Sequence, residues 1–110
     1  MRVWQDSRRL ANLIYDTMEK CRDYAFRDQI QRAATSVMNN IAEGFERRTK
    51  KDFAHFLDLS KGSAGEVRSM LYLAEDRKYV DSATARDLRS RYSQISSSID
   101  ALAASLRRQG

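Results

Sequence analysis

The sequence predicts an all-α protein, an antiparallel up-down-up-down four-helix bundle forming a single domain over residues 1–110. Three observations predict it. The chain contains no proline and only four glycines, too few turn-formers for the frequent reversals of a β fold. Apolar residues recur at intervals of three and four in four separate stretches, the period of one helix face. The segments between those stretches are short, and short connections make sequential helices antiparallel neighbours.

Helix 1 is carried by Leu10, Leu13, Ile14, Met18 and Cys21, with Asp6 or Ser7 expected as its N-cap. Arg22-Asp23-Tyr24 breaks the stripe and reads as a connection. Helix 2 spans about Tyr24 to Gly44, burying Phe26, Ile30, Ala33, Val37 and Ile41, with Ala34 and Met38 on the flank. Gly44 is expected to supply the left-handed residue that follows many helices. Thr49 is expected to cap helix 3, with Asp52 in the place of a capping-box acid.

Helix 3 follows through Phe53, Phe56, Leu57, Ala64, Val67, Leu71 and Ala74 to about Arg77. That is roughly 40 Å at the helical rise. Gly62 and Gly65, beside Ser60, Ser63 and Ala64, leave a zone free of bulky side chains where a neighbouring helix can approach closely; a kink is the alternative. Asp81 or Ser82 can cap helix 4. Its stripe, Ala85, Leu88, Tyr92, Ile95, Ile99, Leu102 and Leu106, keeps strict 3-4 alternation, the heptad seam of bundle packing. Arg107 and Arg108 close its last turn, where cations suit the helix dipole.

The composition, 42% hydrophobic and 32% charged, suits a domain with one core. A lone cysteine, Cys21, excludes an internal disulfide and points to a reducing compartment. No apolar run approaches the ~18 residues of a membrane helix. Met1 to Asp6 lacks the apolar region of a signal peptide. A soluble, cytoplasmic protein is expected, with no membrane partner. The net charge is +5, with eleven Lys or Arg against seven acids in residues 1–51 and nine against eight thereafter. This balance permits nucleic-acid contact without demanding it.

Two features exceed what a plain bundle requires. Gln29, Arg32, Ser36, Asn40 and Glu43 follow 3-4-4-3 spacing and share one face of helix 2 beside the apolar stripe. They form either a half-buried hydrogen-bond network or the ordinary solvated edge of the helix. On helix 3, Leu59, Met70 and Leu73 widen the apolar arc, and such an excess on a small domain marks a partner. Self-association is the leading explanation, a groove for another protein the competitor.

Catalytic and metal signatures are missing. There is no Glu-x-x-His pair for a di-iron bundle. The one histidine, His55, has only Asp52 beside it at i−3, too few ligands for zinc or iron, and reads as a surface or interface residue. No phosphate-cradling glycine loop occurs. The expectation is a protein that is not an enzyme and carries no metal or cofactor. The strongest charge cluster is Arg47, Arg48, Lys50 and Lys51, at the expected start of helix 3, whose free N–H groups also favour anions. With Lys61 it forms a candidate phosphate site, or else a solubilising loop. A helix-turn-helix reader fits poorly, because helix 3 is long and broadly apolar.

Phe26-Arg27-Asp28-Gln29-Ile30 through Ser36, then Asn40-Ile41-Ala42-Glu43-Gly44-Phe45, and Lys61-Gly62-Ser63 with Glu66, together resemble the signature of the 23S rRNA intervening-sequence family of four-helix-bundle proteins. The match covers roughly residues 8–80. The family usually has proline where Met38 stands, so a kink imposed by that proline is not expected here. The resemblance implies a homopentamer and a distant similarity to the accessory proteins of diversity-generating retroelements, bundles that associate with a reverse transcriptase and nucleic acid. It also implies that Gln29, Arg32, Ser36, Asn40, Glu43, Ser63 and Glu66 are the family's polar network. It implies no catalytic activity. The leading expectation is a homo-oligomeric accessory that contacts RNA or DNA; the alternative is a protein–protein scaffold with no nucleic-acid role.

Overall fold

The computed structural model describes all 110 residues. Four helices follow one another, α1 (Arg2–Thr17), α2 (Tyr24–Phe45), α3 (Lys50–Asp76) and α4 (Ser82–Gln109), with no strand. The bundle measures 45 × 21 × 18 Å. Helix α3 packs on α2 and α4, and α1 lies on α2 with a slighter contact to α4, so the four form a square whose diagonals do not touch.

Side-chain oxygens start three of the helices. Asp23 accepts from the Phe26 N–H, Thr49 from the Asp52 N–H and Asp81 from the Thr84 N–H, satisfying donors that have no partner inside the helix. Thr49 and Asp81 are the expected caps.

Helix α1 begins earlier than expected, at Arg2, with Met1 in the cap position and no side-chain cap. Ser7 is interior and fully buried, and its hydroxyl donates to the Val3 carbonyl at 2.7 Å. The apolar face runs back through Ser7 to Val3 because a serine whose hydroxyl is satisfied by its own helix can pack as a small residue. Asp6, the other expected cap, instead pairs with Arg2 and Arg9 on the same helix.

At the far end of α2 the expectation for Gly44 also fails. The helix continues to Phe45, and no glycine takes positive φ. Gly44 is required for space: a Cβ there would lie 2.8 Å from the Phe56 Cβ and 2.9 Å from the Phe53 ring. The left-handed residue is Lys78, at φ 61°, where α3 ends.

The core is filled by Ile14, Ile30, Ile41, Leu57, Leu71, Tyr92 and Ile99, all fully buried. Small residues line the seams. Ala34, Ala54, Ala64, Ala74 and Ala85 are also fully buried, letting the backbones approach. Ser60 donates a buried hydrogen bond of 2.7 Å to the Val37 carbonyl, tying α3 to α2. The Tyr92 and Ser96 hydroxyls, one helical turn apart, are buried without a partner, and burial pushes the Tyr92 phenol far above its usual pKa.

Helix α3 is uninterrupted, and its small-residue zone divides: Ser60 and Ser63 bond to α2 and Ala64 is fully buried, whereas nothing lies within 4 Å of a Cβ added at Gly62. Met70 corrects the expected interface: it is only 9% exposed and belongs to the core. At about 100° per residue it stands roughly 60° round the helix from Leu73. That rotation carries it into the arc of Val67, Leu71 and Ala74. Leu59 and Leu73 do face outward, at 45% and 48% exposure.

Candidate functional site

The polar stripe of α2 meets α3 along their outer seam. Asn40 donates through Nδ2 to the Ser36 carbonyl and hydroxyl, at 2.9 and 3.0 Å. The Ser36 hydroxyl lies 2.9 Å from that of Ser63. Either serine can donate to the other, because the Ser36 oxygen has lone pairs enough to accept from both Asn40 and Ser63. Nearer the other end of the seam, Gln29 donates to the Glu66 carboxylate at 3.3 Å. Glu43 turns along its own helix to Arg47, and Arg32 is exposed with no side-chain partner. The expected network is thus two separate cross-helix links, Ser36–Ser63 and Gln29–Glu66, with Glu43 and Arg32 outside them.

Next to this seam α3 presents a second heptad stripe, directed away from its own bundle. His55, Leu59, Gly62, Glu66, Ser69 and Leu73 alternate at intervals of four and three, and every one is exposed. An apolar-bearing heptad seam with a glycine at its centre is the pattern by which a helix packs against a neighbour. No element of this chain occupies it.

The α2–α3 turn gathers the cations. Arg48, Lys50 and Lys51 are exposed and make no ion pair. Lys50 and Lys51 are the first two residues of α3, beside its unpaired N–H groups. A Cβ at Gly110 would lie 3.9 Å from that of Lys50, which places the last turn of α4, with the unpaired Arg108, at the same end of the bundle. Arg47 is engaged internally, pairing with Glu43 while its guanidinium sits 4.6 Å from the centre of the Phe56 ring. Glu43, Glu46 and Asp52 belong to the same stretch as Arg47, Arg48, Lys50 and Lys51, so the local excess is one positive charge.

Lys61 stands apart, eleven residues beyond Lys50, or about 16 Å along α3. It bonds to Asp100 of α4 at 3.1 Å. His55 packs edge-on against Phe56, ring centres 5.6 Å apart, rather than pairing with Asp52. The expected helix 2 ends at about Gly44, short of Phe45, and the expected stripe of helix 3 includes Phe56. The structure makes Phe45 the most exposed large apolar residue, at 62%, at the edge of the basic turn. An aromatic two positions before Arg47-Arg48-Thr49-Lys50-Lys51 was the available signal.

Compared with known proteins, residues 1–101 match the family described as 23S rRNA-intervening sequence protein. No curated protein matches the chain. Among solved structures, the chain is similar to a protein of unknown function from the S23 ribosomal protein family of Bacteroides thetaiotaomicron, at 21% identity and a TM-score of 0.84, over 91% of this chain and 96% of that one. That likeness establishes the four-helix fold. No helix is long and apolar enough to cross a membrane.

Proposed function

The chain belongs to the 23S rRNA-intervening sequence protein family, and we propose that it is a non-catalytic, self-assembling cytoplasmic bundle that binds nucleic acid through the phosphate backbone. The observation that carries this reading is the turn at Arg48, Lys50 and Lys51, three cations with no internal partner at a helix N-terminus. Charges neutralised inside the chain cannot release counterions from nucleic acid; these three can. A local excess of one positive charge at each turn is weak alone. A ring of copies, as in a homopentamer, multiplies it by avidity. The outward stripe of Leu59, Gly62 and Leu73 on α3 is the surface on which such assembly would rest, with the exposed Glu66 carboxylate available to accept across it.

The test is binding of a labelled RNA across a salt series. Affinity should fall steeply with salt, and charge reversal at Arg48, Lys50 and Lys51 should abolish it. Binding indifferent to salt or surviving the reversal would sink the reading. The exposed heptad stripe favours a second reading, a scaffold that meets only protein. Under it, Leu59→Asp or Leu73→Asp breaks assembly while the purified protein ignores RNA at any salt.

A further inference from the structure

We infer that the α2–α3 turn prefers single-stranded nucleic acid, one base stacking on Phe45 while Arg48, Lys50 and Lys51 hold the adjoining phosphates. The inference rests on the nucleic-acid reading above and specifies its ligand. Phe45 closes the last turn of α2 and is 62% exposed, although an apolar cluster lies within reach. Its only aromatic neighbour is Phe53, ring centres 6.1 Å apart and planes 83° apart. An edge-to-face pair engages at most one face of the Phe45 ring, leaving the other open.

The residues behind that ring are packed on one another. Gly44 lets the end of α2 close on Phe53 and Phe56, and the Arg47 guanidinium covers Phe56. Phe45 is thus held at the rim rather than drawn into the core. Lys51 is six positions on, so the Cα atoms of Phe45 and all three free cations lie within about 22 Å even if the chain between were extended. Aromatic faces beside a cationic track are how sequence-tolerant proteins bind single strands, since every base has a π-face. A duplex keeps its bases stacked on one another and gains nothing from the ring. With a local excess of one positive charge, phosphate attraction alone is slight, so the ring decides the preference.

The experiment measures fluorescence anisotropy of labelled oligo(U), oligo(dT) and a duplex of the same length, with the full chain at fixed low salt. Single strands are expected to bind about tenfold tighter than duplex. Phe45→Leu, which keeps an apolar side chain but removes the ring, is expected to weaken both single strands about tenfold, leaving duplex affinity and oligomeric mass unchanged. Phe45→Trp should keep the affinity, and its added indole emission should be quenched by either oligonucleotide. A silent Phe45→Leu overturns the inference, as does an equal loss for duplex. So does dissociation of the oligomer, which would make Phe45 an assembly contact, and so does a loss confined to one strand type, which would indicate recognition of sugar or base edge. If Phe45→Leu is silent but reversal of the three cations abolishes binding, stacking fails while the phosphate reading stands. If the unaltered protein binds none of the three, both fail. Whichever of oligo(U) and oligo(dT) binds tighter names the natural source of the strand.

Discussion

Asp23 uses its two carboxylate oxygens on different parts of the bundle. One accepts from the Phe26 N–H and caps α2; the other accepts from the Tyr79 hydroxyl at 2.7 Å. The second bond ties the α1–α2 connection to the α3–α4 connection, 56 residues away in sequence. The Tyr79 bond, the Phe26 bond and nearby Arg77 hold the Asp23 carboxyl below its ordinary pKa, and the same bond pushes the Tyr79 phenol up. The signs give two windows. Asp23 titrates lower in the folded chain than its unfolded value of about 4, so its contribution is present above that pH and lost as pH falls through the folded value. Tyr79 titrates higher than its unfolded value of about 10, so its contribution is present below that pH and lost as pH rises through the folded value. Tyr79→Phe removes the hydroxyl and keeps the edge-to-face packing on Phe26, ring centres 5.3 Å apart. The variant is therefore expected to lose Tm at neutral pH and to show a shallower decline at both acid and alkaline extremes. A Tm–pH profile displaced by a constant from that of the unaltered protein would show that the bond carries no linkage.

The helices separate two glycines that the sequence presents alike. A Cβ at Gly44 would meet the Phe56 Cβ at 2.8 Å, an atom fixed to backbone that cannot swing away. Gly44→Ala should cost about 1–3 kcal/mol, as other overpacked contacts do. A Cβ at Gly62 meets nothing, so Gly62→Ala should stabilise an isolated chain by about 1 kcal/mol, raising Tm by roughly 4–8 °C. Denaturation of both variants at a concentration low enough to hold the chain monomeric decides the matter. Repeating it at high concentration is more informative: a gain at Gly62 that shrinks as copies associate would place that glycine under a neighbouring molecule. The same comparison marks what was legible beforehand. Helix number, order and two caps followed from apolar period and short polar connections, because those are local. The start of α1 did not, since Ser7 is polar by type and buried through a bond to its own helix. Met70 and Leu73, three residues apart, differ in burial by a rotation of about 60°, finer than a stripe of mixed residues resolves. Of the candidate site, the cation cluster was legible as a run of charge. The internal commitment of Arg47 and Lys61 was not, because their partners on Phe56 and Asp100 depend on tertiary packing.

Across the whole molecule the helices are unequally secured. Helices α3 and α4 are joined by Glu75–Arg89, Arg68–Ser93, Lys61–Asp100 and Arg107–Asp58. Helices α2 and α3 are joined by Ser60 to the Val37 carbonyl, Ser36–Ser63 and Gln29–Glu66. Every side-chain hydrogen bond and ion pair made by α1 stays within α1. It is also the shortest helix, at 16 residues, has no side-chain cap and leaves Leu13 and Tyr15 exposed. Between it and α4 lies an open groove of about 610 Å³, floored by Leu10, Leu13 and Ile95 and flanked by Arg9 and Arg91. Individual surface pairs contribute little, about 0–1 kcal/mol each, but α1 lacks even these and part of its apolar contact as well. Native-state hydrogen exchange at low protein concentration should therefore find the α1 amides opening first, as a unit, with α3 and α4 last. Equal protection of α1 and α4 would mean that the bundle opens as one body and that the groove costs nothing. Raising the concentration separates two ways of building an assembly. Copies meeting on the outward face of α3 would slow exchange in α2 and α3 and leave α1 as labile as before. Copies meeting over the α1–α4 groove would protect α1 first and move the assembly surface to the opposite side of the molecule.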